Sequence, residues 1–507
     1  MQLLMTIKIH KNAVLYISCC LCCCFFVISP TCAQTTMTYD LTAETAVGTG
    51  DFTAYQLSTN HYHALATRPN TAYMRGAVNM EHQWTGDWKL SGTVDAIASV
   101  HADHKAYLQQ CYVNLSWKNF FIEAGARELK PVLRDPLLSS GALIKGNNAK
   151  PIPQIHVGTK GFWTVPYTKG WLQIDADFGY GKLMDSNYNA TLFESSPVNS
   201  KYVTDVLYHQ KHLYFRTNPD KTFFVTAGIE HVAQFGGTGY SIETGEMVVK
   251  KKASDLKAFW KVILPLGDSN YFENNAMEDW VYGNHLGSMT IQLGWNINKD
   301  HQLQAYLDDP FEDGSGMRKG NGWDGLWGLQ YKNKAKGRQY VRGAVVEFLQ
   351  TTNQSGPLHW DSGDYPEPIR SQITDLVTGN DTYYNHTLYN AYAHYGMAFG
   401  NALLTSPIYN KDGYNKFRDN RVKAWHVAVN GQLTDHLSYL VKGSYRESLG
   451  TYNVPVYPKR HSFDAMLQGI YTLGPWQFSA AYAFDKGNIY DDCNTFNFKI
   501  GYHGKIL

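Results

Sequence analysis

Beyond residue 33 the chain has no long apolar run. With a mean hydropathy of −0.36, it has no room for membrane-crossing helices, each of which needs about 20 mostly apolar residues. The one apolar run, Ala13 to Ile28, follows Lys8 and Lys11 and precedes the small residues Thr31-Cys32-Ala33. That order of charge, apolar stretch and cleavage site reads as a secretory signal peptide over 1–33, leaving 34–507 as one domain. Cysteine is scarce in that domain. Six of the eight, Cys19, Cys20, Cys22, Cys23, Cys24 and Cys32, leave with the leader, and only Cys111 and Cys493 remain. A disulfide scaffold or a cysteine metal site is thereby excluded. A charge excess is missing as well: without Lys8 and Lys11 the 45 basic residues become 43, against 44 acidic ones. Nothing in that balance points to nucleic acid, and the run Lys250-Lys251-Lys252 reads as a solvated loop face. Low-complexity linkers, internal repeats and domain boundaries are absent too.

Glycine and aromatics are abundant, with 44 Gly, 35 Tyr and 13 Trp in 507 residues. From Thr38 to the end, about eighteen stretches of roughly ten residues alternate apolar and polar side chains, the weak repeating signal of a transmembrane β-barrel. Between Trp476 and Asp485, for example, Trp476, Phe478, Ala480, Tyr482 and Phe484 share one face and Gln477, Ser479, Ala481, Ala483 and Asp485 the other. Phe496, Phe498, Ile500 and Tyr502 likewise oppose Thr495, Asn497, Lys499 and Gly501. A soluble sandwich would alternate in the same way, so the connections carry the decision.

Every second connection is short: 85–87, 118–119, 164–170, 217–222, 298–300, 332–339, 433–436 and 473–475. The intervening ones, 49–70, 128–153, 181–206, 232–285, 311–322, 351–420, 448–460 and 486–493, are long, with 100–106 the exception. In an up-and-down antiparallel barrel alternate connections emerge at opposite ends, and outer-membrane barrels carry short periplasmic turns and longer extracellular loops. A first strand at 38–48 makes the count eighteen and sends both termini to the periplasmic side. In this order Cys493 opens the last strand and Cys111 lies in the third, three steps away at about 4.8 Å each. That exceeds the roughly 7 Å a disulfide allows. Within the long loops, 253–264 carries an N-cap and helical spacing of Leu256, Phe259, Trp260 and Ile263. The stretch Leu129 to Leu143 is expected to form an irregular helix or a plug in the lumen.

Ten segments resemble the capsule assembly Wzi family of outer-membrane proteins, in its Bacteroidetes-type form. They are GARELKPVLRDPLLSSG (125–141), NAKPIPQI (148–155), GWLQIDADFGYGK (170–182), AGIEHVAQFGG (227–237), NHLGS (284–288), PFEDGSGM (310–317), DGLWGL (324–329), TTNQSGP (351–357), GNDTYYNH (379–386) and NRVKAWHVAVNG (420–431). The resemblance implies a monomeric eighteen-stranded barrel that acts as a lectin and holds capsular polysaccharide at the cell surface. Its other partners would be outer-membrane lipids and the machinery that inserts outer-membrane proteins. Two features depart from the family. Enteric members carry an N-terminal periplasmic helical segment where this chain turns strand-like at once, and the chain ends in Leu507 where an aromatic residue is common.

A sugar-binding site combines an aromatic platform with carboxylates and amides. The loop 351–420 offers His359, Trp360, Asp361, Tyr365, Asp381, Tyr383, Tyr384 and Asn385, and the loop before it offers Glu312, Asp313, Trp323 and Asp324. Asp175, Asp177, Glu230, His426 and Lys499 fall on the polar faces of their strands, where paired lumen charges are expected and a pore or polysaccharide groove is the alternative. Catalysis is not expected, because the adjacent Glu312 and Asp313 do not flank a glycosidic bond from two sides. Asp308, Asp309, Glu312 and Asp313 lack EF-hand spacing and read as turn acids, so neither metal nor other cofactor is expected. Gly320-Asn-Gly322-Trp-Asp-Gly325 leads into a strand, whereas a dinucleotide site needs a helix there. The alternative to a surface lectin is a porin or solute channel, with a glycan-modifying enzyme well behind.

Overall fold

The alternating stretches become strands in a computed structural model, which describes residues 34–264, 282–312, 314–317, 319–354 and 381–507. The expected leader lies outside the described residues. In chain order the wall begins with β1 (Gln34–Thr49), β2 (Thr71–Gln83), β3 (Trp88–Val100), β4 (Ala106–Trp117), β5 (Phe120–Ala126) and β6 (Pro153–Thr159). It continues with β7 (Leu172–Lys182), β8 (Leu207–Thr217), β9 (Phe223–Phe235), β10 (Asn284–Asn296), β11 (His301–Phe311) and β12 (Gly325–Asn333). It ends with β13 (Gly343–Gln350), β14 (Val422–Gln432), β15 (Leu437–Gly450), β16 (Pro455–Leu473), β17 (Trp476–Gly487) and β18 (Cys493–Lys505). Neighbours pair antiparallel throughout, and β18 returns to β1 from Thr38↔Lys505 to Thr49↔Asn494. The eighteen strands therefore close, which leaves no sheet edge with unpaired backbone groups.

All eight expected short connections close hairpins at one end of the barrel. Gln34 pairs with Gln83 beside the first of these turns, and Lys505 pairs with Thr38, so the described chain ends lie at the turn end. One expected loop is shorter than its sequence suggests: β15 and β16 pair as far as Gly450↔Pro455, so 448–460 is mostly a protruding hairpin. Cys111 lies on β4, the fourth strand, so it is four steps from Cys493 rather than three, and no disulfide joins them.

The two faces of the wall differ as the alternation requires. On β17 and β18, Trp476, Phe478, Tyr482, Phe496, Phe498 and Ile500 are exposed outward, while Ser479, Ala481, Ala483, Asp485, Thr495 and Asn497 are buried inward. Outward aromatics cluster in two belts. Near the turns Trp88 meets Trp117 (ring centroids 6.1 Å apart), Phe223 meets Trp295 (6.0 Å) and Trp476 meets Tyr502 (4.7 Å). Towards the loops Phe348 meets Trp425 (4.8 Å) and Tyr482 meets Phe496 (4.8 Å). Such girdles mark the two edges of a lipid-facing band. Among the described residues no helix is long and apolar enough to cross a membrane; the strands do so.

The loop end is filled. Chain from 51–67, including α1 (Tyr55–Ser58), from 129–150 and from 383–418 folds into the lumen and forms a core with the inner wall. Tyr55, Leu143, Ile144, Tyr384, Tyr392, Met397, Phe399, Leu403 and Phe417 pack there against Tyr208, Tyr306, Leu326, Leu349 and Val422. Of the two forms expected for Leu129 to Leu143, the plug is the one adopted, without a helix. A second long loop takes the other direction. After α2 (Ser186–Ser195), Lys201–Thr204 joins Thr238–Glu243 and Glu246–Lys251 in a small three-stranded sheet. The expected helix follows as α3 (Leu256–Lys261), where the Asp255 carboxylate accepts from Ala258 N at 2.9 Å. It covers the outer wall, with Ala258 and Val262 packed on Ala233, Phe235 and Tyr282.

Candidate functional site

The inward polar residues of the wall hold the plug. Glu347 on β13 accepts from Ser139 Oγ (2.6 Å) and Ser140 N (2.7 Å), and from the Tyr306 hydroxyl. His426 donates from Nε2 to Leu138 O at 2.8 Å. Asp308 takes the Arg134 guanidinium through two contacts, one at 3.0 Å. Asp485 accepts from Tyr55 N at 2.9 Å, and Arg446, wholly buried, reaches Asp464 (2.9 Å) and Thr405 of the plug (3.1 Å).

The five lumen residues singled out in the sequence take part in this network or in wall pairs. Asp175 meets His212 at 2.8 Å, and Asp177 meets His156 at 2.7 Å. Lys145 lies 3.6 Å from both Asp177 and Glu230. Lys499 pairs with Glu44 at 3.3 Å. Asp175, Asp177, Glu230 and Lys499 thus sit beside charge or histidine partners, and His426 holds the plug backbone.

The loop residues expected to meet a sugar separate into three groups. Asp313, His359, Trp360, Asp361 and Tyr365 lie outside the described residues. Tyr383, Tyr384, Asn385 and Asp324 are buried. The Tyr384 hydroxyl donates to Leu143 O, and Gly400 packs so close to that hydroxyl that a side chain there would collide with it. Asn385 brackets Phe417, bonding both its N and its O at 2.9 Å. Asp324 accepts the backbone N–H groups of Asn353 and Gln354, at 3.1 and 2.7 Å. These four residues brace the loops and offer no free ring or carboxylate. Glu312 also faces inward, accepting from Tyr384 N at 3.1 Å, and Asp381 is half-buried beside them. Trp323 is exposed, but it lies against Trp327 with centroids 5.7 Å apart and so extends the outward aromatic belt.

A recess at the loop end that the sequence reading passed over is lined differently. Where the β3–β4 turn meets the plug and α2, His63, Asp103, His104, Tyr107, Lys150, Tyr188 and Tyr395 surround a small half-open pocket. Lys150 is 9% exposed. Its ammonium lies 3.6 Å from the centre of the Tyr107 ring and 5.2 Å from that of Tyr395. Among the described residues no carboxylate comes within ion-pair distance of it. Asp103, the acid at the rim, is held by Arg68 at 2.6 Å. Burial pushes the Lys150 amine down to about 8. Burial, with Lys150 next to it, also holds His63 well below the usual imidazole range, and the His63 Nδ1 is buried without a partner. Chemically the recess is one desolvated cation with aromatic sides and an unused imidazole nitrogen. Only NAKPIPQI, which contains Lys150, drew attention to this region in the sequence, and it did so as a motif.

No protein-family model matches the chain. No curated protein matches it by sequence. Among solved structures it is similar to Wzi of Escherichia coli, described as an outer-membrane protein involved in group 1 capsule assembly and a carbohydrate-binding β-barrel. The two share 12% identity over 91% of this chain and 83% of that one, with a TM-score of 0.53. The chain is also similar to OccK5 of Pseudomonas aeruginosa (8% identity, 94% and 99% coverage, TM-score 0.45) and OccAB4 of Acinetobacter baumannii (12%, 94% and 100%, 0.44). At 12% identity the likeness to Wzi speaks for the fold alone: a closed barrel of the outer-membrane type.

Proposed function

We propose that this protein is a non-enzymatic outer-membrane lectin that holds capsular polysaccharide at the cell surface, with its loop end outside and its chain ends in the periplasm. One observation carries the reading: the loop-end half of the lumen is a packed core, many of whose polar groups bond to the wall. A solute channel needs a continuous watery path along the lumen; here that path is occupied by Tyr55, Tyr384, Phe399 and their neighbours. The large loops are then the working surface, since long ordered loops on a rigid wall are where barrels of this kind carry recognition. The ten segments resembling the capsule assembly family support the same reading, as does the barrel likeness to a carbohydrate-binding protein. Polysaccharide would be gripped by side chains alone, with no bond made or broken.

Deleting the gene in an encapsulated host tests this. The expected outcome is capsule of normal chain length that is shed into the medium, and restored retention when the gene is returned. Capsule that stays fully cell-associated in the mutant removes the anchoring role, and glycan shortened by the purified barrel would make it an enzyme.

A further inference from the structure

We infer that the Lys150 recess receives the carboxylate of an acidic sugar residue, with Lys150 as counter-charge and Tyr107 and Tyr395 as the apolar sides against which the sugar packs. The inference rests on the proposed polysaccharide-binding role and names the class of sugar.

A buried ammonium is unfavourable unless an anion or several acceptors compensate it. The groups that approach the Lys150 ammonium most closely are the ring faces of Tyr107 and Tyr395. Those faces attract a cation but do not neutralise it. The nearby acid is occupied, since Asp103 is bound to Arg68. Among the described residues the fold therefore keeps this charge desolvated and without an ion-pair partner in a half-open recess. A second buried group points to the same occupant: the His63 Nδ1 lacks a partner. A carboxylate has two oxygens, so it can accept from the ammonium and from an imidazole N–H together. A neutral sugar would leave the charge as it is. The aromatic sides suit a pyranose, whose C–H face packs on a ring. His104, edge-on to Tyr395 at 5.0 Å, braces that side.

The test uses the purified full-length barrel in detergent with short oligogalacturonate, the same oligosaccharide after reduction of its carboxyls, and inorganic phosphate. Wild-type protein is expected to bind oligogalacturonate. Lys150→Met is expected to bind it at least about tenfold more weakly, the loss typical of one charge-assisted contact, and Lys150→Arg to recover part of the affinity. The reduced oligosaccharide is expected to bind weakly to both. Should Lys150→Met fail to fold, site-resolved acetylation of wild-type protein gives the same answer: Lys150 is expected to be protected by oligogalacturonate and not by phosphate at equal concentration. Equal binding of the acidic and reduced forms, indifferent to Lys150, overturns the inference and leaves sugar binding standing. Equal protection by phosphate also overturns it, by making the recess a general anion site. If no glycan on a broad array is retained, the lectin reading fails, and this inference with it.

Discussion

Among the described residues Lys150 carries a charge with no ion-pair partner, and this has a thermodynamic consequence of its own. Its amine lies near 10.5 in the unfolded chain and is pushed down to about 8 by burial in the folded one. At about 1.4 kcal/mol per unit, this corresponds to at most about 3.5 kcal/mol of lost stability at neutral pH. Between pH 8 and 10.5 the unfolded chain binds the extra proton, so this destabilisation fades as pH rises through that window. The groups that face the amine, Asp103, His63, His104 and His394, do not reverse this sign, because burial is the largest cause for Lys150 and only Asp103 opposes it. Lys150→Met should therefore resist heating better than wild type at pH 7 and by a smaller margin at pH 10. Migration of boiled and unboiled protein on gels, across a temperature series, reads this directly. A residue whose removal stabilises the fold is one kept for another purpose.

Among the elements, the irregular plug segment 129–150 has Glu347 as a shared anchor. Glu347 alone accepts Ser139 Oγ, Ser140 N and the Tyr306 hydroxyl. Glu347→Ala strands those donors inside the barrel, at about 1–3 kcal/mol for each buried group left unsatisfied. The expected result is a wall that stays closed while the plug loosens, so trypsin should cut after Arg134 or Lys145 in the variant and spare them in wild type. α3 shows a different economy. Its inner side covers the outward-facing His209, Lys211, His231 and His285, where the Lys211 ammonium donates to Ile263 O and His231 meets His285 at 3.0 Å. Polar groups on the outer wall near the loop end are thus shielded by chain, and the lipid-facing band below stays apolar.

For the whole molecule, closure and plugging together predict electrical silence. Wild-type protein inserted in a planar bilayer should give no sustained open-channel current, whereas a variant lacking 383–418 should conduct, because the wall stays closed while a large part of the core that fills its mouth is gone. A steady current through wild type would favour the porin reading instead. The two aromatic belts fix where the barrel sits in lipid, so the same variant should still insert.

Period-two alternation and the parity of short and long connections were enough to read the strand count and the hairpin ends. Those are local properties: a strand's pleat dictates which side chains share a face, and an up-and-down path dictates which connections share an end. The N-cap at Asp255 was legible for the same reason. Where the long loops go was not legible. Tyr383, Tyr384 and Asn385 have the composition of a sugar platform, yet they form part of the plug, because aromatic rings and amides serve equally to grip a glycan and to pack a polar lumen. Lys150 appears in sequence as one lysine in a motif. Its burial and its two tyrosines arise from contacts among segments far apart in the chain, and only the folded barrel brings them together.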